Sequence, residues 1–136
     1  MNPLDFRLPY ELPVTAVAAD IDALGHVNNT VYVRWVQDAA IAHWSKLATS
    51  DMQKEIVWMV LRHEIDYKAA AKEGDNLILK TWIGTAEGLR FDRHTEILNI
   101  DRKLLVQART VWCPIDPQTG RPKKVSADVR KMFSVE

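Results

Sequence analysis

The chain has 136 residues, 18 Lys+Arg against 18 Asp+Glu, and one cysteine. That length supports one hydrophobic core better than two, so residues 1–136 are read as a single domain. Balanced charge argues against a general nucleic-acid binder, and the lone Cys113 excludes an intramolecular disulfide or a cysteine-rich zinc site. No run approaches the roughly 20 apolar residues of a membrane-spanning helix, so no membrane insertion is expected. The opening MNPLDFRLPYELP has acids and prolines where a secretory leader needs a basic start and an apolar run; a cytoplasmic location is expected. The charge is unevenly spread. Residues 1–68 hold 6 basic and 9 acidic side chains, whereas residues 69–136 hold 12 basic and 9 acidic ones.

The chain opens extended, with Leu12, Val14 and Ala16 on one parity and Pro13 suggesting an edge strand. A polar stretch, ADIDALGHVNN, follows. From Thr30 to Leu47, Tyr32, Trp35, Val36, Ala39, Ala40, His43 or Trp44, and Leu47 recur at threes and fours, which predicts a buried helix capped by Asn28 or Asn29. Beyond a polar link at Thr49, Ser50 and Asp51, the pattern changes to strand. IVWMVLRHEIDYKA, NLILKTWIG, LRFDRHTEILNI and LLVQARTVWCPI read as four successive strands, the last ending at the prolines 114 and 117. Within the third of these, Phe91, Thr95 and Ile97 share one parity, and Arg90, Asp92, His94 and Glu96 the other. A terminal helical turn is capped by Ser126, with Asp128 in its first turn. The order β-α-β-β-β-β gives a two-layer α+β domain with an antiparallel sheet. Its surplus of aromatic and branched side chains predicts subunit pairing.

The density of acid, imidazole and amide groups just before the helix marks the segment that carries chemistry: Asp20, Asp22, Gly25, His26, Asn28 and Asn29. The first N–H groups of a helix lack intrahelical acceptors and face the positive dipole end, so they can stabilise an anion forming on a bound carbonyl. A carboxylate on the preceding loop can attack that carbonyl or draw a proton from water. Each of these residues also has a plainer role available, in capping or in the turn. Serines 45, 50, 126 and 134 lack a GxSxG elbow, and His43, His63 and His94 form no HExxH pattern and read as packing or surface histidines. Asp38, farther along the helix, is read as exposed or as part of a subunit salt bridge, and Cys113 as an inert core thiol.

D22-A-L-G-H-V-N-N-T-V-Y32-V-R-W35 resembles the active-site loop and helix start of hotdog-fold thioesterases of the 4-hydroxybenzoyl-CoA type, and the DxxxHVNN element of acyl-ACP thioesterases. E64-I-D-Y67, G74-D75, V111-W-C-P and T119-G-R-P122 agree with it, so the likeness spans roughly residues 10–133. The resemblance implies an α+β hotdog fold, a long central helix wrapped by a curved antiparallel sheet of about five strands. It implies an acyl-CoA or acyl-ACP thioester hydrolase, active as a homodimer or a dimer-of-dimers tetramer. By resemblance, Asp22 is the catalytic nucleophile or general base, the Asn29 backbone N–H polarises the carbonyl, Gly25 is the loop glycine, and His26 supports. The HVNN spelling leans toward aliphatic acyl groups.

Arg90, Arg93, Arg121, Lys123 and Lys124 are candidates for the CoA phosphates, the GRPKK loop being the densest cluster. No metal or cofactor is required, because CoA or the carrier protein is part of the substrate. Two alternatives keep the same fold: a non-catalytic acyl-CoA-binding module, and an enoyl-thioester hydratase or 3-hydroxyacyl dehydratase. The hydratase pattern D-x-N-x-x-H is not matched, since position 24 is leucine.

Overall fold

Apolar side chains at helical spacing give the chain its longest helix, α1 (Asn29–Leu47), which buries Val31, Tyr32, Trp35, Val36, Ala39, Ala40 and His43 along one stripe. The Asn28 side chain caps it by accepting the Thr30 N–H. The computed structural model describes residues 5–133. Around α1 stand β1 (Tyr10–Thr15), β2 (Val57–Tyr67), β3 (Asn76–Glu87), β4 (Arg90–Asn99) and β5 (Leu104–Ile115). A short α2 (Ser50–Glu55) follows α1, and α3 (Ala127–Phe133) closes the described chain. All pairings are antiparallel, in the order β1-β3-β4-β5-β2. This is the hotdog arrangement: one long helix packed on a five-stranded antiparallel sheet.

One detail differs from the sequence-based expectation. The polar link after α1 is helical, because Thr49 caps it by accepting the Met52 N–H, although α2 buries none of its own side chains. The strand β5 spans LLVQARTVWCPI as expected, running through Pro114 to Ile115. Proline is tolerated because the last β4–β5 pair is Phe91 with Trp112, so Pro114 has a strand only on its β2 side. Pro13 sits on the edge strand β1, where its missing N–H costs no ladder bond.

Alternation along β2 is broken once. Trp58 and Val60 face inward, the register slips between Val60 and Arg62, and thereafter His63 and Ile65 face inward. A bulge here turns the rest of the strand over, which brings His63 to α1. Its Nε2 lies 3.2 Å from Gln37 Nε2, and its Nδ1 lies 3.0 Å from Thr110 Oγ1.

Two buried clusters lie between helix and sheet. The first half of α1 packs Val31, Tyr32, Trp35 and Val36 on Leu77, Leu79, Ile97, Val106 and Ala108. The second half packs over Phe6, Ile83, Phe91, Trp112, Met132 and Phe133. Phe133 anchors this second cluster, stacking on Phe6 at 4.4 Å and meeting Phe91 edge-on at 4.9 Å. Replacing Phe133 by Ala is expected to lower the unfolding free energy by about 3–5 kcal/mol. Urea unfolding would read that loss, and a loss below about 1 kcal/mol would mean that α3 contributes little to this core.

Candidate active site

The loop before α1 is organised by two aspartates with different tasks. Asp20, 5% exposed, accepts the Val17 N–H at 3.0 Å and pairs with Arg34 at 3.0 Å. Its main-chain oxygen takes the Asn28 N–H at 2.9 Å. The Val17 amide, with Arg34 adding to it, holds the Asp20 carboxyl below its ordinary 3.8 in spite of burial. Asp20 therefore ties the turn at Ala18–Asp20 to the start of the helix.

Asp22 is half-buried and faces a cavity. Its Oδ1 accepts the amides of Leu24 at 2.9 Å and His26 at 3.2 Å, which fixes the carboxylate plane. Among the described residues its Oδ2 has no hydrogen-bond partner. The turn closes through Gly25 N–H to Asp22 O at 3.1 Å and Asp22 N–H to His26 O at 2.8 Å. Gly25 adopts a φ of 81°, a conformation that L side chains rarely take. Val27 N–H then donates to Ala71 O at 2.9 Å, and Tyr32 Oη accepts the Ala71 N–H at 3.0 Å, so the loop is pinned beyond the end of β2.

Asn28 and Asn29 divide the work at the helix start. Asn28 caps through its side chain, and its main-chain oxygen takes the Val31 N–H at 2.9 Å. Asn29 is the first helical residue and is exposed, and among the described residues its N–H has no acceptor. Asp22, Leu24, His26, Asn29, Tyr32, Tyr67 and Lys68 all border one cavity of about 420 Å³. A residue with a free carboxylate oxygen and one with an unengaged helix-start amide thus line the same space. The arrangement suits a carbonyl whose oxygen approaches the amide while its carbon approaches the acid.

The candidate phosphate ligands lie elsewhere on this chain. Lys68, which lines the same cavity as Asp22, hydrogen-bonds Leu105 near the start of β5, whereas Pro122 bridges to Ile115 at its end. Ten residues of strand separate the two, roughly 33 Å if fully extended. Arg121, Lys123 and Lys124 belong to that far end, as does Arg90 at the start of β4. Arg93 is not a surface cation at all. It is 4% exposed, with Nη1 2.9 Å from His43 Nδ1 and 3.0 Å from Thr81 Oγ1. Its inward direction follows from sharing parity with Phe91, Thr95 and Ile97. Burial and the neighbouring Arg93 charge push His43 down to about 3, so it is a neutral acceptor. Burial pushes Arg93 down to about 9, leaving it cationic at neutral pH.

Sequence reading missed Lys68, the cation that does border the Asp22 cavity. Nothing in its local pattern marks it; only the end of β2 meeting the loop brings it there. Cys113 is buried, and burial pushes its thiol up. His94 lies against Trp82, 5.6 Å between ring centroids, away from the Asp22 loop. Among the described residues no group of three or more His, Cys, Asp or Glu could hold a metal, and no helix is long and apolar enough to cross a membrane.

Comparison with known proteins agrees with this fold. Residues 17–133 match the family model of the thioesterase-like superfamily. The chain is similar to the acyl-CoA thioester hydrolase YbgC of Escherichia coli O157:H7, 25% identical over 129 residues that cover 91% of this chain and 95% of that protein. It is also similar to the DHNA-CoA thioesterase of Staphylococcus aureus, with a TM-score of 0.77 and 26% identity over 85% of this chain and 80% of that one. The 1,4-dihydroxy-2-naphthoyl-CoA thioesterase Slr0204 of Synechocystis shares the fold, with a TM-score of 0.79 at 20% identity over 93% and 96% of the two chains.

Asp20 gives a stability prediction with a definite sign. Because its folded value is depressed below 3.8, its stabilisation is complete above that value and is lost as pH falls through the folded value. Asp20→Asn is expected to cost about 1–3 kcal/mol at pH 7 and to flatten the acid limb of the stability curve. Chemical denaturation between pH 2 and 7 tests this. Parallel acid limbs in the two proteins would show that Asp20 is not the group responsible.

Proposed function

This chain belongs to the thioesterase-like superfamily, and from that membership we propose that it hydrolyses an acyl thioester of CoA or acyl carrier protein to a carboxylic acid and a thiol. One observation carries the reading: Asn29, whose helix-start amide is unengaged, and Asp22, whose Oδ2 is unengaged among the described residues, line the same cavity. The thioester oxygen lies toward the Asn29 N–H, where the dipole of α1 favours the negative charge that develops on it. Asp22 then acts in one of two ways. As nucleophile it bonds to the acyl carbon, the C–S bond breaks, and water cleaves the resulting anhydride. As general base it takes a proton from water as the oxygen attacks, and that proton accompanies the departing thiolate. Either route consumes one water and uses no cofactor.

His26, through its backbone amide, holds Asp22 in position, and Gly25 shapes the turn that presents both. Pairing of two copies is part of the proposal. β2 is an edge strand with Val57, Met59 and Leu61 each more than 40% exposed, an apolar edge that invites a partner. A second copy would also be the means of bringing Arg121, Lys123 and Lys124 to an active site that their own chain does not offer them.

Thiol release from short, medium, long and aryl acyl-CoAs, measured with wild type, Asp22→Asn and Asp22→Ala, tests the assignment. Both variants are expected to fold and to lose about 10²-fold or more in kcat. Full activity in Asp22→Asn at limiting substrate would remove Asp22 from the chemistry. Release by neither wild type nor variants, from CoA or carrier-protein esters, would leave a binding module.

Lys68 is the phosphate-side prediction. Lys68→Ala is expected to raise KM for CoA esters about fivefold at low salt, equivalent to ~1 kcal/mol, with kcat little changed. An unchanged KM would remove Lys68 from binding. The triple replacement of Arg121, Lys123 and Lys124 by Ala reports on the second copy: it is expected to raise KM in the paired protein, and an unaltered KM would strike that loop from the site.

A further inference from the structure

At the other end of α1 the chain buries a charge that the proposed chemistry does not use. Arg93 spends one nitrogen, Nη1, on both of its recorded bonds, to His43 and to Thr81, and both acceptors are uncharged. Among the described residues no carboxylate lies within ion-pair distance of its guanidinium, and Nε and Nη2 have no acceptor. A cation only 4% exposed is unfavourable unless an anion or a full set of acceptors compensates it.

Arg93 borders a small cavity of about 50 Å³ whose other walls are apolar and aromatic, including Trp44, Trp58, Phe91 and Trp112. Two of those walls carry the same unmet need. The indole N–H groups of Trp58 and Trp112 are buried without a hydrogen-bond partner among the described residues. Every polar group of these walls that lacks a partner is therefore a donor. A ligand group made of acceptor oxygens suits such a lining, and one made of donors does not.

The cavity is continuous in its walls with a larger, open hollow of about 620 Å³, since Ile41, Trp44, Trp58 and Trp112 border both. That hollow lies between α1 and β2 and reaches Gln37. From Gln37 the same two elements continue side by side to the Asp22 cavity, where Tyr67 Oη donates to Asn29 O at 3.4 Å. The spacing agrees on both sides: eight residues of helix from Asn29 to Gln37 rise about 12 Å, and four residues of strand from Tyr67 to His63 span about 13 Å. From Asn29 to His43 the helix rises about 21 Å.

We propose that Arg93 is a specificity-determining residue for acyl thioesters whose acyl group ends in a carboxylate, that carboxylate entering the cavity while the chain lies along the strip between α1 and β2. The proposal rests on the thioesterase reading for the position of the other end. The substrate class is a long ω-carboxyacyl thioester; the guanidinium compensates the terminal charge, and the aromatic walls take the last methylenes.

The test compares kcat/KM for hexadecanedioyl-CoA with that for hexadecanoyl-CoA, the ratio rather than either rate being the readout. Wild type is expected to favour the diacid ester about tenfold or more, as for a charge-assisted bond made in the site. Arg93→Met, which keeps an apolar side chain of similar reach, is expected to bring the ratio to about one or below. Trp112→Phe, which keeps a ring and deletes one donor, is expected to lower it several-fold, and serves if Arg93→Met does not fold. A wild-type ratio near one, or a preference that survives both substitutions, overturns the proposal.

A second measurement separates this proposal from the reaction. Thermal unfolding of wild type is followed with dodecanedioate and with its dimethyl ester. Stabilisation by the diacid alone, lost in Arg93→Met or Trp112→Phe, supports the carboxylate site even if no thioester is cleaved, in which case the hydrolase reading falls by itself. Absence of stabilisation together with a ratio near one rejects the site while leaving hydrolysis at Asp22 intact.

Discussion

The Asp20 carboxylate, withdrawn almost entirely from solvent, engages the Val17 amide and Arg34 while its own carbonyl engages Asn28. Three segments of backbone are thereby fixed relative to the first turn of α1. An ionised carboxylate in such a place is stable only while its hydrogen bonds are made, so the geometry around it is nearly all-or-none. Asp22 projects from this frame and is fixed in turn by the amides of Leu24 and His26. The two acids look alike in sequence. They differ because one spends its oxygens inside the fold and the other, lining the cavity, keeps an oxygen without a partner among the described residues.

The bulge in β2 does comparable work on the opposite side of the site. Without the slip between Val60 and Arg62, strict alternation would send His63, Ile65 and Tyr67 to the outer face. With it, Tyr67 reaches the Asn29 carbonyl and His63 reaches Gln37, so the last strand of the sheet is drawn alongside the helix. The two hollows bordered by α1 and β2 lie along that strip. A one-residue irregularity in an edge strand thus decides whether the helix start faces a pocket wall or open solvent.

Much of this was legible beforehand, for identifiable reasons. The stripe of α1 announces itself because 3.6-residue periodicity is sampled over five turns, and the strands because they are long and bounded by turn residues. The loop from Asp22 to Asn29 stands out because its side chains are dense in chemistry and directly precede that helix. The helix α2 does not announce itself, since it buries nothing and is marked only by Thr49. Lys68 is one lysine among several until the register of β2 against β5 places it. Arg93 is the instructive case: its parity with Phe91, Thr95 and Ile97 already directs it inward, and grouping it with the surface cations by charge alone overrides that signal. Periodicity is the better guide to a side chain's direction, and residue type to its chemistry once direction is known.

The two ends of α1 also differ in what they can discriminate. In the proposed reaction the groups at the Asn29 end address the thioester itself, which every candidate substrate shares. Selectivity must come from farther along the acyl group, and apolar walls supply it only weakly, about 1–3 kcal/mol for each methylene. Donors held without acceptors behave differently, because a ligand that leaves them unmet forfeits the whole of what a matching ligand gains. The proposed division follows from this asymmetry. The exposed, water-accessible end carries the reaction, and the dry end, where an unmet charge weighs most, carries the choice among substrates. The bonds to His43 and Thr81 give the Arg93 guanidinium a structural task, but both run through Nη1 and both acceptors are uncharged, so they leave its charge and its other nitrogens for a ligand to match.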